Sequence, residues 1–267
     1  DDDRRQLYGF LDGLAEAAPR GRTEFPLSDV TVGVKCGGSD GFSGLSANPL
    51  AGEVSDMLCA WGGKVLATEI PEMFGAEDVL ASRISDERVF RAFSGTIKWF
   101  RDYYDAHSQP VYENPSPGNR DGGITTLEEK SLGAVNKCGS SPVTDVLAMG
   151  AQAVRRGVSV VFGPGNDLIS ATVMAASGAQ VILFTTGRGT PYSTVVPTIK
   201  ISSNTALYNR KRGWIDFDAG PLLSGADRKE TAARLISLLA ETASGRLTRN
   251  EENRTGEIAI FKDGVIL

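Results

Sequence analysis

The sequence contains a single histidine, His107, among its 267 residues. This scarcity nearly excludes Ser-His-Asp and Cys-His catalysis within the chain, and any metal site has to form without a histidine cluster. His107 lies at the predicted end of a helix beside polar residues, where a solvated side chain is typical. The three cysteines, Cys36, Cys59 and Cys138, are scattered and odd in number, which favours a reducing cytoplasm over a disulfide framework.

The chain also lacks an excess of positive charge and any long apolar segment. The formal net charge of −5 and the absence of a basic cluster argue against a nucleic-acid surface. No apolar stretch is long enough to span a bilayer, and no signal peptide opens the sequence. The first five residues, Asp-Asp-Asp-Arg-Arg, form a polar tail without fold content that resembles a cut edge. We therefore expect a cytoplasmic protein without nucleic-acid or membrane partners.

Glycine is abundant, with 31 residues, and it gathers in loops that follow strand-like segments. Those segments alternate with amphipathic helices, of which Asn48–Trp61 is an example. This rhythm predicts an α/β fold whose mostly parallel, Rossmann-like open sheet carries helices on both faces. The predicted strands are Val30–Val34, Lys64–Ile70, Val158–Phe162, Gln180–Phe184 and Val196–Ile201.

The domain organisation follows from the same pattern. Residues 1–29 are predicted to be a tail with a short helix over Leu7–Ala17, and residues 30–267 a single α/β domain. Residues Asn114–Gly123 are rich in proline and glycine, which predicts irregular structure. Ile258–Phe261 and Val265–Ile266 are predicted to form a terminal hairpin.

The densest glycine-rich segment, Lys35–Pro49, follows the first strand and precedes a helix. Small residues let backbone N–H groups approach an anion, and the helix N-terminus adds partial positive charge. The alternative is a tight connector without a ligand. Cys36 is either a thiol with a lowered pKa or a small buried residue. The predicted substrate-binding residues of this segment are Lys35, Gly37, Gly38, Ser39, Asp40, Ser43 and Asn48.

Polar residues also follow three further strands. Glu69, Glu72, Asp167 and Arg188 are predicted to share one edge of a parallel sheet, which suits a small polar anion and a hard metal ion. Arg188, which follows Thr186 and Gly187, either forks two hydrogen bonds to a carboxylate or forms a structural ion pair. The local pattern around Lys130 favours an exposed helix lysine over a general base.

Six ordered motifs of the chain resemble the altronate/galactarate dehydratase family, and specifically its carboxyl-terminal half. Asp218 departs from the family pattern, in which an asparagine is expected. The motifs are Lys35–Pro49, Thr68–Glu77, Asn114–Asn119, Gly122–Gly133, Phe184–Tyr192 and Ile199–Thr205.

The resemblance implies a hydro-lyase that converts a sugar acid such as altronate or galactarate into a 2-keto-3-deoxy acid with a divalent metal, Fe²⁺ in the family. It also implies missing N-terminal domains or a partner subunit that carries metal ligands, and it leaves a homo-oligomer open. We assign catalysis to Glu69, Glu72, Lys130 and Arg188, with a glutamate as the general acid, and add Thr186 and Gly187 to the substrate-binding residues; no metal ligand is assigned. The alternatives are a non-catalytic binding domain and a related lyase that expels sulfite from sulfolactate.

Overall fold

A seven-stranded parallel sheet forms the centre of the computed structural model, which describes residues 2–18, 21, 23–111 and 114–264. The strand order is β3-β4-β2-β1-β5-β6-β7, and each neighbouring pair runs parallel. This confirms the predicted α/β class. The strands are β1 (Thr31–Cys36), β2 (Lys64–Ala67), β3 (Val143–Leu147), β4 (Gly157–Val161), β5 (Val181–Thr186), β6 (Thr198–Ser202) and β7 (Phe217–Asp218).

Helices connect the strands and cover both faces of the sheet. They are α1 (Asp2–Ala17), α2 (Ala47–Ala60), α3 (Glu77–Ala81), α4 (Glu87–Ala106), α5 (Pro117–Asp121), α6 (Leu127–Val135), α7 (Asp167–Ala176), α8 (Thr205–Arg210), α9 (Arg228–Ala243) and α10 (Arg249–Glu252). Within the described ranges, no helix has the combination of length and hydrophobicity that crossing a membrane requires.

The apolar residues form two cores, one on each face of the sheet. Along β5, Val181 and Leu183 belong to one core, whereas Ile182 and Phe184 belong to the other. Successive strand residues point to opposite faces, so this alternation separates the two layers. Helices α2, α4 and α9 contribute to the first core and α7 to the second. The near-continuous burial of β1 and β5 is expected for central parallel strands covered on both sides.

The order of the strands changes side at β1: β2, β3 and β4 lie on one side of it, and β5, β6 and β7 lie on the other. The loops after β1 and β5 are joined there by backbone hydrogen bonds. Gly37 N–H donates to the Thr185 carbonyl at 3.0 Å, and the Gly187 and Arg188 N–H groups donate to the Gly38 carbonyl at 3.0 Å each. Ligands of open α/β sheets bind in the crevice that such a switch point opens.

Four local predictions were wrong. The proline- and glycine-rich segment contains helix α5, because Ser116 and Asn119 form a capping box ahead of it. Strand β3 was not predicted, since its central residues are polar and only half-buried. The acidic and basic residues at the start belong to α1. Residues 258–261 are not a strand, and the second half of the predicted hairpin lies outside the described residues. The division into residues 1–29 and 30–267 stays a prediction.

Candidate active site

A cavity of about 700 Å³ lies at the carboxyl-terminal edge of the sheet. Four strand-end loops converge on it, as the parallel sheet predicts. Helix α6 adds a side chain, and the segment around α5 forms one wall. The residues with candidate chemistry that line the cavity are Gly37, Gly38, Ser39, Glu72, Lys130, Asp167 and Arg188.

Behind this cavity lies a buried charge cluster, formed by the side chains of Lys35, Cys36, Glu69, Glu72, Lys130 and Lys137. Its centre is Glu69, which is fully buried. The Glu69 carboxylate pairs with Lys35 Nζ at 2.6 Å and Lys137 Nζ at 2.9 Å, and it accepts the Cys36 N–H at 3.2 Å. The Glu69 backbone has φ +67°, a left-handed conformation that is strained for a glutamate. This turn ends β2 at Ala67, earlier than predicted, and directs the carboxylate inward.

Glu72 and Lys130 form the part of the cluster that reaches the cavity. Lys130 Nζ donates to Glu72 Oε2, and the Glu72 side chain is 16% exposed. Burial alone would raise the pKa of Glu72, but Lys130, Lys137 and Lys35 together lower it to about 2. Burial would lower the pKa of Lys130, but Cys36, Glu72 and Glu69 raise it. At neutral pH the pair is therefore a carboxylate and an ammonium.

Lys130 is buried, which corrects the expectation of an exposed helix lysine. Helix α6 packs against the short 3₁₀ helix Ile70–Met73 that follows β2, and this contact draws Lys130 onto Glu72. The neighbouring sequence does not reveal the contact, because it joins elements distant in the chain.

The Cys36 thiol is buried between the two glutamates and two of the lysines. Its Sγ lies 3.2 Å from Glu72 Oε2 and 3.4 Å from Lys137 Nζ. Burial, followed by the carboxylates of Glu69 and Glu72, raises the pKa of the thiol to about 11. Of the two predicted alternatives, the buried residue is the one observed.

Cys36, Glu69 and Glu72 bring three potential metal-ligand atoms within 4.8 Å of one another. The ammonium groups of Lys35, Lys130 and Lys137 already neutralise the two carboxylates, and the thiol stays protonated at neutral pH. A divalent cation would need these ammonium groups to move away and the thiol to ionise. The triplet therefore does not fit a divalent metal ion.

Lys35 links the buried cluster to the loop after β4. Its Nζ is 2.9 Å from Asp167 Oδ1 and 2.6 Å from Glu69 Oε1. Burial would lower the pKa of Lys35, but Asp167 and Glu69 raise it, so the side chain stays charged. Asp167 begins helix α7, and its side chain is 35% exposed. Asp167 thus presents a carboxylate to the cavity while Lys35 stays behind it.

Arg188 lies on the opposite wall, in the loop after β5. Its guanidinium donates to the Gly118 carbonyl and lies 3.7 Å from Asp121 Oδ2. The side chain is 46% exposed, and Asp121 is 75% exposed, so this ion pair is weak. Because Arg188 also lines the cavity, its half-exposed guanidinium is within reach of an anion bound there.

Asp40, Ser43 and Asn48 line a second cavity of about 310 Å³, next to the first. Asp40 accepts hydrogen bonds from Ser43 at 2.8 Å, Ser203 at 2.9 Å and Asn204 at 3.1 Å. Asn48 donates to the Gly133 carbonyl at 2.8 Å. The polar side-chain atoms of Asp40 and Asn48 therefore form hydrogen bonds to other groups of the protein.

Thr186 and Gly187 shape the loop that carries Arg188. The Thr186 hydroxyl accepts the Gly189 N–H at 2.9 Å. A Cβ atom on Gly187 would lie 2.1 Å from Asp40 Cγ, so the close approach of the two loops requires glycine there. Gly38 has φ +60°, which also favours glycine.

Lys137 is the member of the charge cluster that sequence reasoning missed. Burial would lower its pKa, but Cys36 and Glu69 raise it well above the usual value. Lys137 follows Lys130 by seven residues, and in a helix continued through both positions this spacing of two turns places the side chains on one face. In the structure α6 ends at Val135, and Lys137 lies in the 3₁₀ turn Asn136–Cys138. That spacing was the available signal.

Comparison with known proteins decides the family. The family model described as D-galactarate/altronate dehydratase, C-terminal, matches residues 27–266. The chain belongs to this dehydratase family. It is 53% identical to the altronate dehydratase of Bacillus subtilis (strain 168), covering 100% of this chain and 54% of that protein. It is 48% identical to the altronate dehydratase of Escherichia coli (strain K12), covering 90% of this chain and 49% of the relative.

A third dehydratase relative is more distant. The galactarate dehydratase (L-threo-forming) of Escherichia coli (strain K12) is 37% identical, covering 87% of this chain and 45% of the relative. The chain therefore spans about half the length of these curated dehydratases. The resemblance seen in the six sequence motifs is thereby confirmed for the whole segment from residue 27 onward.

Proposed function

We propose that this chain is the C-terminal part of a hydro-lyase that dehydrates a sugar acid, such as altronate or galactarate, to a 2-keto-3-deoxy acid. The observation that carries the proposal is the convergence of two cations and two carboxylates, Lys130, Arg188, Glu72 and Asp167, on one cavity. Dehydration beside a carboxylate requires an anion clamp, a proton acceptor and a proton donor. All three types of group line the same walls.

The substrate carboxylate binds, in this proposal, between Arg188 and the glycine-rich turn at Gly37 and Gly38. Arginine donates two parallel hydrogen bonds to a carboxylate. Positive charge at this position stabilises the enediolate that forms when the C2 proton leaves, and this lowers the pKa of that proton. Ser39, also at the cavity wall, binds a sugar hydroxyl, while Asp40, Ser43 and Asn48 hold the loop from behind.

We assign the base to Asp167 and the acid to Lys130. The pKa of Glu72, about 2, makes this carboxylate a poor proton acceptor and leaves it without a proton to donate at neutral pH. Asp167 takes the proton from C2, and the Lys130 ammonium protonates the C3 hydroxyl as the C–O bond breaks. Water and an enol result, and the enol tautomerises to the 2-keto-3-deoxy acid. Glu72 then stabilises the ammonium form of Lys130, and Glu69 holds the cluster in place.

We propose that a divalent metal, Fe²⁺ by family resemblance, takes its ligands from the half of the dehydratases that this chain does not cover. The support is that lysine ammonium groups already pair with the carboxylates of Glu69 and Glu72, beside Cys36. That half, in the same polypeptide or in a partner subunit, would complete the site. We also propose that the protein is cytoplasmic.

Arg188→Ala tests the proposed clamp in the complete dehydratase that carries these residues. We expect kcat/KM for the sugar acid to fall at least tenfold, because the carboxylate loses its forked donor. Arg188→Lys, which keeps the charge but loses the fork, should recover part of the loss. Steady-state assays with altronate and galactarate measure this, and a parallel assay with sulfolactate, read by the mass of the product, tests the rival loss of sulfite.

The matched control is Arg91→Ala, which removes an exposed arginine from α4. An unchanged kcat/KM in Arg188→Ala would remove Arg188 from the site. Turnover of the isolated chain, with and without Fe²⁺, shows whether these residues act alone or only bind the substrate.

A further inference from the structure

Lys200 is a fully buried lysine that the proposed chemistry does not use. It lies in the middle of β6, opposite Phe184 of β5, and is 0% exposed. Its neighbours on the strand, Ile199 and Ile201, face the first core. The side chain of Lys200 therefore points to the other face, beneath the loop of residues 187–192, which we call the Arg188 loop.

In the described structure, the Lys200 ammonium has one hydrogen-bond acceptor, the Thr190 carbonyl of the Arg188 loop. Asp216 is close by, but its two carboxylate oxygens accept backbone N–H groups, from Lys200 and from Arg249, at 2.8 Å each. A buried ammonium with a single backbone partner is costly, so its presence in the middle of β6 indicates a positional role.

The first half of the Arg188 loop has anchors of its own. The Gly187 and Arg188 N–H groups bond the Gly38 carbonyl, and the Gly189 N–H bonds the Thr186 hydroxyl. After Gly189, the contact from Lys200 to Thr190 fixes the direction in which the chain leaves the loop. The bonds to Gly38 and Thr186 thus hold the backbone at Arg188, and the Lys200 contact holds the chain that follows it.

We propose that Lys200 is a positioning residue that anchors the Arg188 loop through the Thr190 carbonyl and thereby keeps the Arg188 guanidinium at the cavity. This inference rests on the proposed function for the role of Arg188, but the anchoring itself does not. The charged groups that act on Lys200 are Asp216 ahead of β7, Glu257, Asp167 on α7 and Lys211 at the end of α8.

The environment makes the anchor sensitive to pH. Burial lowers the pKa of Lys200 to about 8, although Asp216, Glu257 and Asp167 act in the opposite direction. Below that pH the ammonium donates a charge-assisted hydrogen bond to Thr190, and above it a weaker neutral amine remains. The loop should therefore loosen as the pH rises from about 7 to about 9, while the bonds to Gly38 stay intact.

Amide hydrogen exchange on the 267-residue chain, resolved by residue, tests the anchor. In Lys200→Met we expect the Tyr192 amide, which donates to Thr190 Oγ1, to exchange about tenfold faster at pH 7, with little change at Gly187, Arg188 and Gly189. Lys200→Arg, which keeps a cationic donor, should retain most of the protection. After correction for intrinsic exchange, the wild type should lose protection between pH 7 and 9, whereas Lys200→Met should not.

The matched control is Lys229→Met at an exposed position of α9, which should leave the loop unchanged. Equal loop protection in Lys200→Met and the wild type, or the same pH profile in both, would overturn the anchor. If the methionine variant does not fold, the wild-type pH series still tests the anchor, because loop protection that does not fall between pH 7 and 9 would contradict it.

Kinetics of the complete enzyme separate this inference from the proposed function. Lys200→Met should lower kcat/KM for the sugar acid about tenfold, because the guanidinium that binds the carboxylate and stabilises the enediolate is displaced. If Arg188→Ala lowers kcat/KM and Lys200→Met does not, Lys200 has no positioning role in the reaction. If Arg188→Ala itself has no effect, the proposed function of Arg188 fails instead.

Discussion

Glu69→Ala should lower the free energy of unfolding of the 267-residue chain by about 3–5 kcal/mol at pH 7, because it leaves buried ammonium groups without their carboxylate. Lys137 is the most affected, since Glu69 Oε2 at 2.9 Å is its closest carboxylate partner. Lys35 keeps Asp167 at 2.9 Å. Glu69→Gln retains the side-chain volume but not the charge, so it should recover only part of the loss.

The pH dependence of this difference separates charge from packing. In the wild type, Glu69 and its neighbours raise the pKa of Lys137, so its stabilising contribution is full below the unfolded pKa and is lost at high pH. In Glu69→Ala one of the charges that raise the pKa of Lys137 is lost while its burial remains, so this pKa falls below its wild-type value and the variant loses less stability than the wild type as the pH rises. The gap between the two proteins should therefore narrow from pH 7 to pH 9.5.

Urea unfolding followed by circular dichroism measures this gap at both pH values. The control, Glu87→Gln, breaks an exposed i,i+4 pair with Arg91 and should change stability by less than about 0.5 kcal/mol. A loss below about 1 kcal/mol in Glu69→Ala, or a gap that is independent of pH, would show that the cluster is not held together by charge.

Lys130→Met should slow dehydration about 10³-fold in the complete enzyme, because the C3 hydroxyl then leaves without its proton donor. Since Asp167 remains, exchange of the C2 proton of the substrate with D₂O should persist. Asp167→Asn should instead abolish both exchange and dehydration. Proton NMR of the substrate and detection of the 2-keto product follow the two steps separately.

Lys98→Met, which removes an exposed lysine paired with Asp102, is the matched control for this experiment. Loss of C2 exchange in Lys130→Met would make Lys130 the base and contradict the assignment of the acid. Dehydration at the wild-type rate would remove Lys130 from the chemistry.

Much of the fold could be predicted from local patterns. The β-branched runs around Val32 and Val181 specify buried parallel strands, and the glycine-rich turn at Gly37–Gly38 marks the strand end where loops meet. The sequence pattern does not predict strand β3, because the polar residues Thr144 and Asp145 interrupt its apolar pattern. Its place is determined by pairing with β4, a contact that no local periodicity encodes.

The candidate site could be predicted in outline but not in charge state. The placement of Glu72, Asp167 and Arg188 on one cavity follows from the order of strands and loops. The burial of Lys130 depends on how α6 packs, that of Lys137 on how the 3₁₀ turn Asn136–Cys138 packs against α2, and the inward turn of Glu69 on a left-handed backbone conformation. These are tertiary effects, so the sequence alone does not reveal which of these groups are buried and charged, or which one can serve as the general acid.

The sharpest test of the proposed site is a crystal structure of the chain soaked with galactarate and Mn²⁺. We expect a substrate carboxylate bonded to Arg188 and the Gly37–Gly38 turn, the Lys130 ammonium beside a sugar hydroxyl, and no anomalous manganese peak at Cys36, Glu69 and Glu72. A manganese ion bound by those three residues, with the lysine side chains turned away, would contradict the proposed site.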